Sequence, residues 1–222
     1  MYAGGSLRQE SQIADNGVRM PYSGRNLTPQ ERLEIIRLRR DRGFPLHAPP
    51  HPIRDSGAYL ITAANYLHQT LMALPERRSD FEARLCEGLT DAGVVLHAWV
   101  VLPNHYHVLI EVSRFETLAP VFKRLHGGTS FEWNRAEGTP GRRVWYRYHD
   151  RKIRSEAHFM QALNYIHVNP IKHGYARQAA AWPWSSLAAY RDLEGAEWLA
   201  DQWRLFRPDE DFGAGWDVER AL

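Results

Sequence analysis

Cysteine is almost missing. Cys86 is the only one in 222 residues, which excludes an internal disulfide framework and suits a reducing compartment. Lysine is nearly as scarce: Lys123, Lys152 and Lys172 are the only three among 28 basic residues. The rest are arginine, the side chain best suited to planar contacts with phosphate. No apolar run approaches membrane-spanning length, and the first thirty residues lack the apolar centre of a signal peptide. The expectation is a cytoplasmic chain with no membrane partner. A net charge of only +2 excludes a polycation, so any nucleic-acid role must rest on where the charge is clustered. Internal repeats and low-complexity tracts are also absent.

What is present falls into three segments. Residues 1–55 read as a flexible arm, a basic helix and a linker. The arm carries Gly4, Gly5, Gly17 and Gly24. The helix opens on Thr28 as N-cap, Pro29 and Glu31, and closes near Gly43. Its Arg37, Arg39, Arg40 and Arg42 suggest DNA or partner contact, or an ordinary solvated face. Four prolines between Pro45 and Pro52 exclude regular structure there. Residues 56–192 are expected to form the main domain, and 193–222 a C-terminal tail.

Within the main domain the periodicities read as strand (GAYLITAANY), helix ended by Gly93, strand (VVLHAWVVL) and strand (HYHVLIEV). A helix over 115–136, a strand (VWYRYHD) and a helix from Ser155 to Asn169 follow. This order predicts an α+β fold of RRM-like or ferredoxin-like type, a mainly antiparallel sheet with helices on one face. The other face would stay open to a ligand, and the helix over 28–43 would form an N-terminal extension.

The stretch LPNHYHVLIEV then raises a chemical question. Alternation along a strand puts His105 and His107 on one face, while Tyr106, Val108, Ile110 and Val112 make an apolar second face. If the apolar face meets the helices, both imidazoles point to the open side, where they form either a two-histidine metal clamp or a merely structural pair. In SEAHFMQALNYIHVNP, helical geometry places His158, Gln161 and Asn169 within about 40° of Tyr165, opposite an apolar arc. Tyr165 on that polar face is either a nucleophile beside a metal site or a packing residue with a wet hydroxyl. Pro170 is expected to end the helix.

Two imidazoles and one neutral amide would leave a divalent ion its full charge, suited to polarising a phosphodiester. Histidine ligands favour manganese or zinc, while phosphate and water ligands admit magnesium. The remaining histidines, His167 above all, read as hydrogen-bonded structure. In GRRVWYRYHDRKIR, the basic residues Arg142, Arg143, Arg147, Arg151, Lys152 and Arg154 interleave with Trp145, Tyr146 and Tyr148. Single-stranded nucleic acid needs that interleaving, and so does an edge strand that resists aggregation. The AWPWSSL stretch reads as packing of the C-terminal part over the core.

VVLPNHYHVLIEV, VWYRYHDRKI, NYIHVNPIKHGYA and AWPWSSLAAY, in this order over roughly residues 57–190, resemble the REP-associated tyrosine transposases, relatives of the single-tyrosine transposases of the HUH superfamily. The resemblance implies that His105, His107 and Asn169 bind a divalent metal ion, Mg or Mn, and that Tyr165 is the nucleophile. It implies cleavage of single-stranded DNA beside a hairpin, leaving a 5′-phosphotyrosine and a free 3′-hydroxyl. The expected partner is single-stranded or hairpin DNA, and the expected assembly a monomer or homodimer. Two rivals are a metal phosphodiesterase that activates water and a catalytically silent RRM-like binding module. The first strand lacks the family's usual Tyr-His-Val, and the segments before residue 55 and after Asp192 are unlike it.

Overall fold

A computed structural model describes residues 56–209, 212 and 213 of the chain. The sequence-predicted helix over 28–43 and its linker lie outside the described residues.

Four strands form one antiparallel sheet: β1 (Gly57–Ala64), β2 (Val95–Val101), β3 (His105–Val112) and β4 (His149–Lys152), in the order β2-β3-β1-β4. Helix α1 (Pro75–Asp91) connects β1 to β2, and α2 (Leu118–Ala136) connects β3 to β4. That is the ferredoxin-like arrangement the element order predicts. β1 and β3 pair in full register from Gly57↔Val112 to Ala64↔His105. β2 carries a register shift between Leu96 and Ala98.

The helices form for local reasons. Pro75 stands at the first turn of α1 with Glu76 behind it, where a missing N–H costs nothing and an acid complements the dipole. Beyond its end Gly93 takes a left-handed φ of 69°. Phe81, Leu85 and Leu89 of α1 and Phe122, Leu125 and Trp133 of α2 are buried at helical spacing. They pack on Tyr59, Ile61, Tyr106, Val108, Ile110 and Val112, the apolar face that alternation in β3 requires.

The other face is not open, which corrects the expected single helical layer. Helix α3 (Glu156–Lys172) lies across it, with Phe159, Ala162, Leu163 and Ile166 packed on Leu60, Ala98, Val100 and Leu109. The reason is in α3 itself: Asn164, Tyr165 and His167 are buried as well, so the helix needs cover on two sides. The sheet supplies one. Helices α4 (Leu187–Glu194) and α5 (Ala196–Leu205) supply the other, and Asn164 Nδ2 donates to the carbonyls of Gln202 and Phe206 at 2.9 and 3.0 Å.

Two further corrections follow. The Ser155 hydroxyl caps α3 by accepting from the His158 N–H at 3.1 Å, as expected, but Pro170 does not end the helix. It lies inside the last turn, and its carbonyl accepts from Tyr175 N at 2.8 Å beside Gly174. The VWYRYHD strand is regular only from His149; before it, Trp145 makes one isolated bridge to Asn65.

Candidate active site

Strand register builds the site. On the face beneath α3, Val100, His107, Thr62 and His149 stand side by side across β2, β3, β1 and β4. His105 and His107 are fully buried at the head of β3, their ring centroids 5.0 Å apart and nearly perpendicular.

Each imidazole is oriented through Nδ1. Nδ1 of His107 lies 2.7 Å from the Thr62 hydroxyl, and Nδ1 of His105 lies 2.7 Å from Oδ1 of Asn104. An amide oxygen only accepts, so His105 Nδ1 carries the hydrogen and Nε2 presents a lone pair. That lone pair faces another acceptor, Oδ1 of Asn169, at 3.2 Å. Two acceptors so placed have the spacing of adjacent ligands, since bonds of about 2.1 Å at right angles put donor atoms roughly 3 Å apart. His105, His107 and Asn169 could therefore hold a divalent ion between ring nitrogens and an amide oxygen. Among the described residues no three His, Cys, Asp or Glu side chains group for a metal, so the amide is needed for a third ligand.

Helix α3 sets Asn169 one turn after Tyr165. The Tyr165 ring lies against His107, with centroids 5.2 Å apart, and its hydroxyl receives the Lys172 ammonium at 3.5 Å. The same ammonium is 4.7 Å from the ring centroid. Lys172 is an exposed residue, so the phenol's polar end lies at the rim of a buried cluster. Phe212 packs on the ring at 5.1 Å, and Arg151 lies over Phe212. The structure thus brings Tyr165, His105, His107 and Asn169 together.

It does not keep the basic stripe together. Trp145 is buried, donating its indole N–H to Thr129 at 3.0 Å and stacking on His126 at 4.6 Å, so it has no open face for a base. Its place in the expected nucleic-acid set is corrected: two apolar helices flank that position. Arg142 is tied to Asn134 and Glu137 at 2.9 and 2.6 Å. Lys152 projects to the far face, where it reaches the Ser56 carbonyl and the Tyr59 ring; burial, then Arg154, hold its pKa below the usual lysine range. Arg143, Arg147 and Arg154 are exposed, and Arg151 stands on the α3 side through its pairing with Leu60.

Of the other histidines, His167 is hydrogen-bonded within the fold as expected, whereas the His173 ring lies 4.8 Å from that of His105, beside the candidate site. His167 bonds the Ser186 hydroxyl at 2.9 Å, and burial pushes its pKa down to about 3. Trp182 and Trp184 donate to Val101 O and Ser79 Oγ, packing the C-terminal segment on the core. Sequence reasoning missed Lys172, Asn104 and Thr62. Lys172 was within reach of it, because seven residues after Tyr165 is two helical turns along the same face. Thr62 becomes visible only with the β1–β3 register.

No family model matches the chain. It is 28% identical over 131 residues to a REP-associated tyrosine transposase of Escherichia coli, covering 54% of this chain and 67% of that protein. It is 30% identical over 117 residues to a putative REP-associated tyrosine transposase of Haemophilus influenzae, covering 46% of this chain and 62% of the relative. Among solved structures it resembles that of a REP-associated tyrosine transposase bound to a REP hairpin. The TM-score is 0.53 at 20% identity over 79% of this chain and 99% of the other, a likeness of fold. With the paired histidines on β3 and the Tyr-Ile-His-Val-Asn-Pro run on α3, these findings make the chain similar in sequence and in fold to the REP-associated tyrosine transposases.

Proposed function

We propose that the chain cuts and rejoins single-stranded DNA at hairpins through a covalent bond to Tyr165. The observation that carries the reading is the Tyr165 phenol, packed on His107 and met at its hydroxyl by the Lys172 ammonium at 3.5 Å. A phenol is a poor nucleophile at neutral pH unless a cation favours its charged form. Lys172 is placed to supply one, while the rigid helix fixes the hydroxyl's approach.

In the step proposed, the Tyr165 oxygen bonds to phosphorus as the bond to the 3′ oxygen breaks. The phenol proton passes to solvent, and the departing 3′ oxygen gains one to become a hydroxyl. The product is a 5′-phosphotyrosine, which the 3′-hydroxyl of another strand can attack to restore the diester. A divalent ion, magnesium or manganese, held by His105, His107 and Asn169 would supply charge to polarise the scissile phosphate. Asn104 and Thr62 hold the two imidazoles in place, and the exposed Arg147 and Arg154 suit the DNA backbone. The hairpin as substrate rests on the relatives' names and on the DNA bound by the structural neighbour.

The test is incubation with end-labelled hairpin DNA and manganese, resolved on a denaturing gel. A covalent adduct is expected from the natural chain and from neither Tyr165→Phe nor His105→Ala. Cleavage without any adduct would instead favour an activated water, and metal-independent binding without cleavage would favour a silent binding module.

A further inference from the structure

Where β1 ends, the chain makes one short turn, Tyr66–His68, in which Leu67 and His68 adopt left-handed φ angles of 54° and 53°. A leucine is disfavoured there by its own Cβ, so the surroundings must hold it. Backbone bonds from His68 N to Asn65 O and from Gln69 N to Tyr66 O do so, at 3.0 and 3.3 Å. The consequence is an apolar tip in solvent: Leu67 is 64% exposed.

Beside that tip the chain gathers rings and a cation. Tyr66 and Tyr146 have centroids 5.0 Å apart, and the His68 ring lies 5.6 Å from that of Tyr146. The Arg143 guanidinium sits over both tyrosines, 4.7 and 5.4 Å from their centroids. Tyr146 N bonds Ala64 O and Tyr66 N bonds Val144 O at 2.9 and 2.8 Å, which fixes the two segments together. Neither tyrosine belongs to either hydrophobic core.

Tyr66 and Tyr146 are half-buried, while His68 and Arg143 are exposed, and rings at the surface interleaved with a guanidinium are what unpaired bases stack on while the cation takes the backbone. An apolar tip next to them can pack on an unpaired base as it leaves the stem. The cluster also adjoins the candidate active site through one side chain: Asn104 donates to the His68 carbonyl at 3.3 Å and accepts from His105 at 2.7 Å.

We propose that Tyr66, Leu67, His68, Arg143 and Tyr146 form a platform for unpaired nucleotides of single-stranded DNA, running from the foot of a hairpin toward Tyr165. The inference rests on the strand-transferase reading and adds to it the place where the single strand is held. A purely structural cluster that staples two loops together would show the same contacts, and the experiment separates the two.

Fluorescence anisotropy on the full chain in chelator, which prevents cleavage, compares a blunt hairpin with the same hairpin carrying four unpaired nucleotides. The natural chain should bind the extended hairpin more tightly. Tyr146→Ala should weaken that complex roughly 5- to 150-fold and leave the blunt one unchanged, while Tyr146→Phe keeps the natural behaviour. Leu67→Gly, which glycine's freedom at that φ permits without strain, should weaken only the extended complex. Arg143→Gln should lower the salt slope by about one. Equal loss on both hairpins, no loss on either, or no preference by the natural chain would overturn the platform. A natural chain that binds neither hairpin would remove the transferase reading itself, before any variant is made.

Discussion

The side-chain oxygen of Asn104 lies 2.7 Å from Nδ1 of His105, while the other end of the same amide donates to the backbone carbonyl of His68. The amide is therefore anchored at one end and selects the His105 tautomer with the other. Partners of this kind typically contribute 10- to 100-fold in metal affinity. Asn104→Ala should weaken manganese binding by about that factor in isothermal titration calorimetry, whereas Asn104→Asp, which keeps the acceptor, should retain most of it. Equal affinity in Asn104→Ala would show that the ion does not bind through His105.

Lys172 and Tyr165 stand two helical turns apart on α3, with ammonium and hydroxyl 3.5 Å from one another. If charge builds on the phenol oxygen as it attacks, removing the cation slows chemistry more than binding. Lys172→Met should lower the single-turnover rate of adduct formation about 10- to 100-fold at saturating DNA, and Lys172→Arg should recover part of it. An unchanged rate with a weakened Kd would reassign Lys172 to DNA contact.

The apolar face of β3 was legible because strand alternation leaves no freedom: once Tyr106, Val108, Ile110 and Val112 face the helices, His105 and His107 must face the other way. The Tyr165 and Asn169 stripe was legible for the same kind of reason. Alternation says nothing about what covers the second face, and the helical wheel divided α3 into an apolar and a polar half. In the fold nearly its whole circumference is buried, because α4 and α5 close over it. The stripe from Arg142 to Arg154 misled because it straddles an irregular approach and a four-residue strand. Its side chains leave in several directions, and only register shows that Lys152 and Arg151 part company.

Trp145 and Arg147 put that division to the test. The Trp145 ring stacks on Phe81 and His126 and lies near Trp133, so Trp145→Ala should cost about 3–5 kcal/mol of stability, measured by urea denaturation. Hairpin affinity per folded molecule should stay within a few-fold of the natural value. Arg147 is exposed, and Arg147→Gln should do the reverse: an unchanged urea midpoint with weaker, less salt-dependent DNA binding. A Trp145→Ala protein that is fully stable but DNA-blind would restore the ring to the DNA surface.

His126 gives the fold an acid sensitivity whose sign follows from its surroundings. Burial pushes its pKa down to about 4 and pushes the Tyr106 phenol well above its ordinary range. The phenol therefore stays protonated and donates to His126 Nε2 at 3.0 Å. Between pH 6.5 and about 4 the unfolded chain takes up a proton at this position that the folded chain refuses. Stability contributed by the neutral ring is thus complete above about 6.5 and is lost as pH falls toward 4. The slope is at most about 1.4 kcal/mol per pH unit, and the total on the order of 3 kcal/mol. His126→Gln keeps an acceptor for the phenol without a titrating group. Its urea midpoint should fall less steeply than that of the natural chain between pH 7 and 5, and parallel profiles would show that His126 is not the group protonated on unfolding.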